Sequence, residues 1–177
     1  PAAAPSGLSR RWLEAFRTVR AETERRASRL SPEDQVVQSM PDASPTKWHL
    51  GHTSWFFEAF VLARAFPGLA PFDPSYAFLF NSYYESVGPR HERARRGVLT
   101  RPSLDEIETY RRWVDGRIAE LPWRPFDRAL YDALELGLHH EQQHQELLLT
   151  DVKHLFGESP LRPAYAPRAH TPAPVAK

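Results

Sequence analysis

Residues 127–158 read DRALYDALELGLHHEQQHQELLLTDVKHLFGE. Asp127 has the short oxygen-bearing side chain that caps a helix start, and Gly157 suits the position just past a helix end. Between them Leu130, Ala133, Leu134, Gly137, His140, His144, Leu147, Leu148, Asp151 and Leu155 recur at helical spacing. The pattern predicts one long helix ending at Phe156, with two histidines inside an otherwise apolar seam. Working outward, Ser103-Leu104-Asp105-Glu106 is a capping-box pattern, followed by Ile107, Tyr110, Val114, Ile118 and Leu121 on one face until Pro122. Ser44-Pro45 opens another helix that should run to Phe66, with the stripe Trp48, His52, Trp55, Phe56, Ala59, Leu62 and Ala63. A fourth is expected from Leu8 to Leu30, its other face filled by Arg and Glu, and a short one from Ala77 to Val87. Four substantial helices without a strand pattern predict an all-α, antiparallel four-helix bundle with long connections.

Lys and Arg total 23 against 22 Asp and Glu. That balance argues against a nucleic-acid partner, which calls for a basic excess on one face. The longest greasy stretch, Trp55 to Phe66, is interrupted by Glu58 and Arg64, so no membrane span is expected and a cytoplasmic setting is the default. There is no cysteine, so any metal ligands must come from His, Asp or Glu. Residues 1–7 read as a leader, 8–158 as the helical domain, and 159–177, with its prolines and no periodicity, as a linker or tail. The sequence starts at Pro1 without an initiator Met, which suggests a processed or partial chain.

Positions i and i+4 share a helix face, so His140 and His144 can reach one ion. An inward His52 from a second helix would complete a three-histidine set. The competing reading is that these are packed, hydrogen-bonded core histidines in an interaction module. Burying imidazoles without partners costs on the order of 1–3 kcal/mol each, which favours a metal. His49 and His139 fall about 100° off their stripes and read as surface or supporting residues. His91 and His154 read as solvent-facing. Three neutral imidazoles leave coordination positions open, as catalytic sites require. They suit Fe(II) or Zn(II) alike.

His140-Glu141-Gln142-Gln143-His144 also matches the H-E-x-x-H pattern of zinc proteases, with Glu141 as general base. The surroundings do not: Leu147 and Thr150 stand where one such class needs Gly and His, and no edge strand is available for a peptide.

Three segments, SPTKWHLGHTSWFFEAFVLARAFPG (44–68), FNSYYESVGPRHERARRGVLTRP (80–102) and GLHHEQQHQELLLTDVKHLF (137–156), together resemble the N-terminal DinB-like domain of the ergothioneine-biosynthesis sulfoxide synthases. The resemblance spans roughly residues 31–166. It implies a DinB-like four-helix bundle and a non-haem Fe(II) held by His52, at the end of a W-x-L-x-H motif, and by His140 and His144. It implies an O₂-dependent joining of a thiol, cysteine or γ-glutamylcysteine, to C2 of the imidazole of hercynine, giving a sulfoxide. Gln143 would lie near the hercynine imidazole. Tyr83 or Tyr84 would be the proton donor, a phenol of pKa ~10 being protonated at neutral pH. Arg93 and Arg96 would bind the carboxylate of the thiol substrate. Members of the family carry a C-terminal domain related to formylglycine-generating enzymes, so such a domain or fragment is the expected partner. A stand-alone divalent-metal thiol transferase of the DinB type is the alternative enzyme.

Overall fold

Where the sequence supplies capping groups, helices start as expected. Ser103 accepts from the Glu106 backbone while Glu106 reaches back to the Ser103 N–H, and Asp127 accepts from Leu130 N at 3.1 Å. The computed structural model describes residues 7–83, 88–122 and 127–167. Its helices are α1 (Gly7–Ala27), α2 (Thr46–Phe57), α3 (Ala63–Ala65), α4 (Tyr76–Phe80), α5 (Leu104–Ala119) and α6 (Arg128–Glu158). A π turn over Glu58–Leu62 joins α2 to α3, and 3₁₀ turns cover Asp34–Val36 and Arg93–Val98. Among the described residues there is no strand, and no helix is long and apolar enough to cross a membrane. The fold is the expected all-α bundle of α1, α2, α5 and α6.

Helix α2 is the centre of the bundle, packed against both α5 and α6, while α6 also lies along α1. Every residue from Thr46 to Phe57 is buried, so α2 has no solvent face and the expected single stripe is only part of its contact surface. Ala63, placed in that stripe, is exposed because the π turn shifts the register ahead of it. The turn carries Glu58, whose buried carboxylate accepts from Phe72 N at 2.6 Å and from the Tyr110 hydroxyl. Two glycines let neighbours approach α2 closely. A Cβ on Gly137 of α6 would lie 2.5 Å from the Phe57 ring, and one on Gly51 would lie 2.5 Å from Phe80.

Because α6 touches two neighbours, its buried surface is broader than one seam. Leu138, Glu141, Gln145, Val152 and Phe156 are buried in addition to Leu130, Leu134, Gly137, His144, Leu148 and Asp151, whereas Ala133, His140, Leu147 and Leu155 are half-buried. The helix runs on to Glu158, past the expected end at Phe156, and α1 stops at Ala27 instead of Leu30. Helix α4 also differs from expectation. It closes at Phe80, because the Trp48 indole donates to Leu79 O (2.9 Å) and the His52 ring lies 2.5 Å from Phe80 O. Side chains of α2 thus take up the carbonyl oxygens that a further helical turn would have used. Residues 84–87, the end of the expected short helix, lie outside the described residues.

Candidate metal centre

His52 on α2 and His140 and His144 on α6 meet at the α2–α6 junction, with one ring nitrogen from each lying within 4.8 Å of the others. The Nε2 atoms of His52 and His140 are 3.0 Å apart. Two nitrogens bound to one ion at ~2.1 Å sit ~3.4 Å from each other in tetrahedral geometry, so the spacing fits a shared cation. His52 turns its Nδ1 to Phe80 O, leaving Nε2 for the cluster. Its ring stacks on Trp48, with centroids 4.5 Å apart and planes inclined by 14°. His140 stacks on Phe56 at 4.4 Å, and its buried Nδ1 has no hydrogen-bond partner among the described residues.

The rings are held neutral. Burial pushes His52 well below the ordinary imidazole range, reinforced by His140. Burial lowers His140 to about 4. His144 is driven down as well, first by burial and then by His52, His49 and His140. A neutral imidazole offers a lone pair to a metal, so these shifts suit ligation. A set of three nitrogen donors with a residual opening fits a divalent ion such as Fe(II) or Zn(II) equally well.

The histidines line a cavity of about 530 Å³ together with Trp48, Ser82, Tyr83, Arg93, Arg96 and Gln143. Arg96 lies only 5% exposed, its guanidinium 3.3 Å above the Trp48 ring centroid. Its partners are the hydroxyls of Ser44 (2.9 Å) and Ser82 (3.1 Å), and its Nε has none among the described residues. Among the described residues Arg96 forms no ion pair, and burial with Arg93 nearby lowers it to about 9. Arg93 is exposed at the mouth, bonded to Asp42 O and 3.5 Å from the Tyr83 hydroxyl. Tyr83 is 70% exposed and Gln143 is exposed, both lining the cavity. Tyr84 lies outside the described residues.

Glu141 points elsewhere. It is fully buried against α1 and α5, receiving Arg20 Nη1 at 3.1 Å and Arg111 Nη2 at 3.2 Å. A carboxylate locked between two guanidiniums, a residue's turn away from the histidine face, is not the general base of a protease.

Residues 15–148 match the family model described as the DinB superfamily. The chain belongs to the DinB superfamily. No curated protein matches it. The match takes in His52, His140 and His144 of this DinB domain and stops before Asp151.

One residue of the site was not singled out from the sequence. His49, read as surface or supporting, is buried, with its Nδ1 2.9 Å from His144 Nδ1 and its Nε2 2.9 Å from Asp151 Oδ2. The signal available was the i, i+3 pairing of His49 with His52, since both fit one side of a short helical turn. His91 and His154, expected in solvent, are half-buried and bonded to Arg95 O (3.0 Å) and Ser39 Oγ (2.8 Å). His139 is exposed as expected.

Proposed function

We propose that this DinB domain is the metal-holding part of a non-haem Fe(II), O₂-dependent sulfoxide synthase of ergothioneine biosynthesis. The reaction joins the sulfur of cysteine or γ-glutamylcysteine to C2 of the hercynine imidazole. The thiol and C2 hydrogens leave with one oxygen atom of O₂ as water, and the other oxygen atom becomes the sulfoxide oxygen.

The observation that carries this reading is Arg96. A buried guanidinium whose hydrogen-bond partners among the described residues are hydroxyls alone, beside three neutral histidines in one cavity, is a prepared seat for an anion next to a metal. An α-carboxylate on a thiol fits both needs: the carboxylate on Arg96, bidentate where geometry allows, and the sulfur toward the histidines. His52, His140 and His144 would hold the iron, whose chemistry when bound is to accept a thiolate and O₂ at one centre. Arg93 at the mouth guides the same carboxylate. Gln143 faces the hercynine ring, and the phenol of Tyr83, or that of Tyr84, supplies a proton at the cavity rim. The open side of the cavity is where a C-terminal domain related to formylglycine-generating enzymes would complete the hercynine pocket.

The test is oxygen uptake and sulfoxide formation by iron-loaded protein with its C-terminal partner domain, given hercynine and either thiol. Uptake that requires both substrates is expected. Thiol transfer without O₂ under Zn(II) would replace this reading with the DinB-type transferase.

A further inference from the structure

His144 does not stand alone behind the cavity. Its Nδ1 is 2.9 Å from His49 Nδ1, His49 Nε2 is 2.9 Å from Asp151 Oδ2, and Asp151 Oδ2 also accepts from Ser44 N at 2.9 Å. The chain leaves α6 at His144, crosses to α2 at His49 and returns to α6 at Asp151, two helical turns further on. All three side chains are at least nine-tenths buried by residue, and none is claimed by the substrate-facing groups above.

We propose that His49 and Asp151 are positioning residues of the metal centre, which fix His144 as the Nδ1–H tautomer so that its Nε2 lone pair faces the ion. The inference rests on the reading that His52, His140 and His144 hold a divalent cation. The polarity of the chain follows from its far end. A carboxylate only accepts, so the hydrogen between His49 and Asp151 sits on His49 Nε2. A neutral His49 then presents a lone pair at Nδ1, and the hydrogen between the two rings must come from His144 Nδ1. The reverse order would set the His49 Nε2 lone pair against the carboxylate oxygen. A hydrogen on His49 Nδ1 as well would make His144 Nδ1 the acceptor and turn the His144 hydrogen onto Nε2, toward the ion. The other acceptor-anchored ligand shows the same logic in shorter form: Phe80 O can only accept, so His52 also carries its hydrogen on Nδ1. A carboxylate–imidazole pair behind a ligating histidine both orients the ring and raises its basicity, and loss of such partners typically lowers metal affinity 10–100-fold.

Ser44 extends the role of Asp151. The same oxygen that polarises His49 holds the backbone that leads into α2, while the Ser44 hydroxyl accepts from Arg96. The metal ligand, its relay and the anion seat are thereby registered to one another.

The experiment is a chelator-competition titration of Zn(II) into the full chain and into His49→Ala, Asp151→Asn and His144→Ala. It is accompanied by circular dichroism of each metal-free protein and long-range ¹H–¹⁵N correlation of the imidazoles in the parent. The expected result is ~10–100-fold weaker binding for His49→Ala, a smaller loss for Asp151→Asn, and loss of the site for His144→Ala, with helix content retained. The parent spectrum should place the hydrogen on Nδ1 of His144 and on Nε2 of His49. Unchanged Zn(II) affinity in His49→Ala and Asp151→Asn, or a hydrogen on His144 Nε2, overturns the relay while leaving the metal centre standing. A parent chain that binds no Zn(II) overturns both.

Discussion

His140 and Glu141 are adjacent in the chain, yet the two open onto polar interiors of opposite character. On the Glu141 side the charges are paired, although Arg111 Nε, 3.8 Å from a Glu24 carboxylate oxygen, has no hydrogen-bond partner among the described residues. The carboxylate takes a hydrogen bond from each of Arg20 and Arg111, Arg20 also binds Asp115 at 2.8 Å and Ser54 at 3.1 Å, and Arg111 reaches Leu50 O and Thr53. Burial alone would raise the Glu141 carboxyl, but the two guanidiniums outweigh it and hold the group below its ordinary range. On the His140 side the demands are left open. His140 Nδ1 and Arg96 Nε have no partner among the described residues, and Arg96 is not neutralised. A charge-paired network holds α1, α2, α5 and α6 in register. One with an unpaired guanidinium, lining a cavity, is built to receive something. Both are polar and buried, so burial of charge by itself identifies neither; what distinguishes them is whether the charges are already paired among the described residues.

The charge-paired side should break hardest. Glu141→Ala leaves two guanidiniums buried without their carboxylate, and about 3–5 kcal/mol of stability should be lost, read as a fall in the denaturant midpoint. A loss well under 1 kcal/mol would mean that the network is not what holds the helices together.

Acid separates the two sides along the pH axis. His140 is lowered from 6.5 to about 4 in the folded chain, and His49, His52 and His144 are lowered too, in each case first by burial. Between pH 6.5 and 4 the unfolded chain binds more protons than the folded one, so metal-free stability falls as pH falls, by about 3 kcal/mol from His140 alone. Glu141 acts in a lower window. Its folded value lies below 4.5, so its contribution is present above that pH and is lost only as pH drops below it. Urea unfolding across pH 7 to 4 should show the first window, and a flat profile there would contradict the neutral, buried state of the histidine side.

The smallest effect concerns how that side is propped. In Gly51→Ala the new methyl group meets the Phe80 ring, and the segment whose carbonyl holds His52 must shift. A loss of about 1–3 kcal/mol is expected from overpacking, with weaker ion binding than in the parent. Unaltered stability and unaltered binding would show that the α4 segment does not brace His52.

Much of this was legible in the sequence, for identifiable reasons. Caps are local, so Ser103, Glu106 and Asp127 could be read from neighbouring residues. His140 and His144 stood out because an i, i+4 pair inside an apolar seam is also a local pattern. The charge-paired network was not legible. Arg20, Arg111 and Glu141 look like solvent-facing charges in their own helices, and only the packing of α1, α5 and α6 around α2 brings them together. Arg96 was named with Arg93 through the resemblance alone, since nothing in the arginine run marks it as the buried member among exposed neighbours. His49 was set aside by a stripe argument that presumes a solvent face, which α2 lacks. The short helix ended early because Trp48 and His52, some thirty positions upstream, compete for its last carbonyl oxygens.

The central claim is that the open side holds a divalent ion through His52, His140 and His144. Metal analysis of the chain after Fe(II) loading and desalting under anaerobic conditions, beside that of His144→Ala, tests it most directly. The account predicts a single retained ion per parent chain and essentially none in the variant, with both proteins equally helical. A parent that retains no ion, or a variant that retains as much, would contradict it.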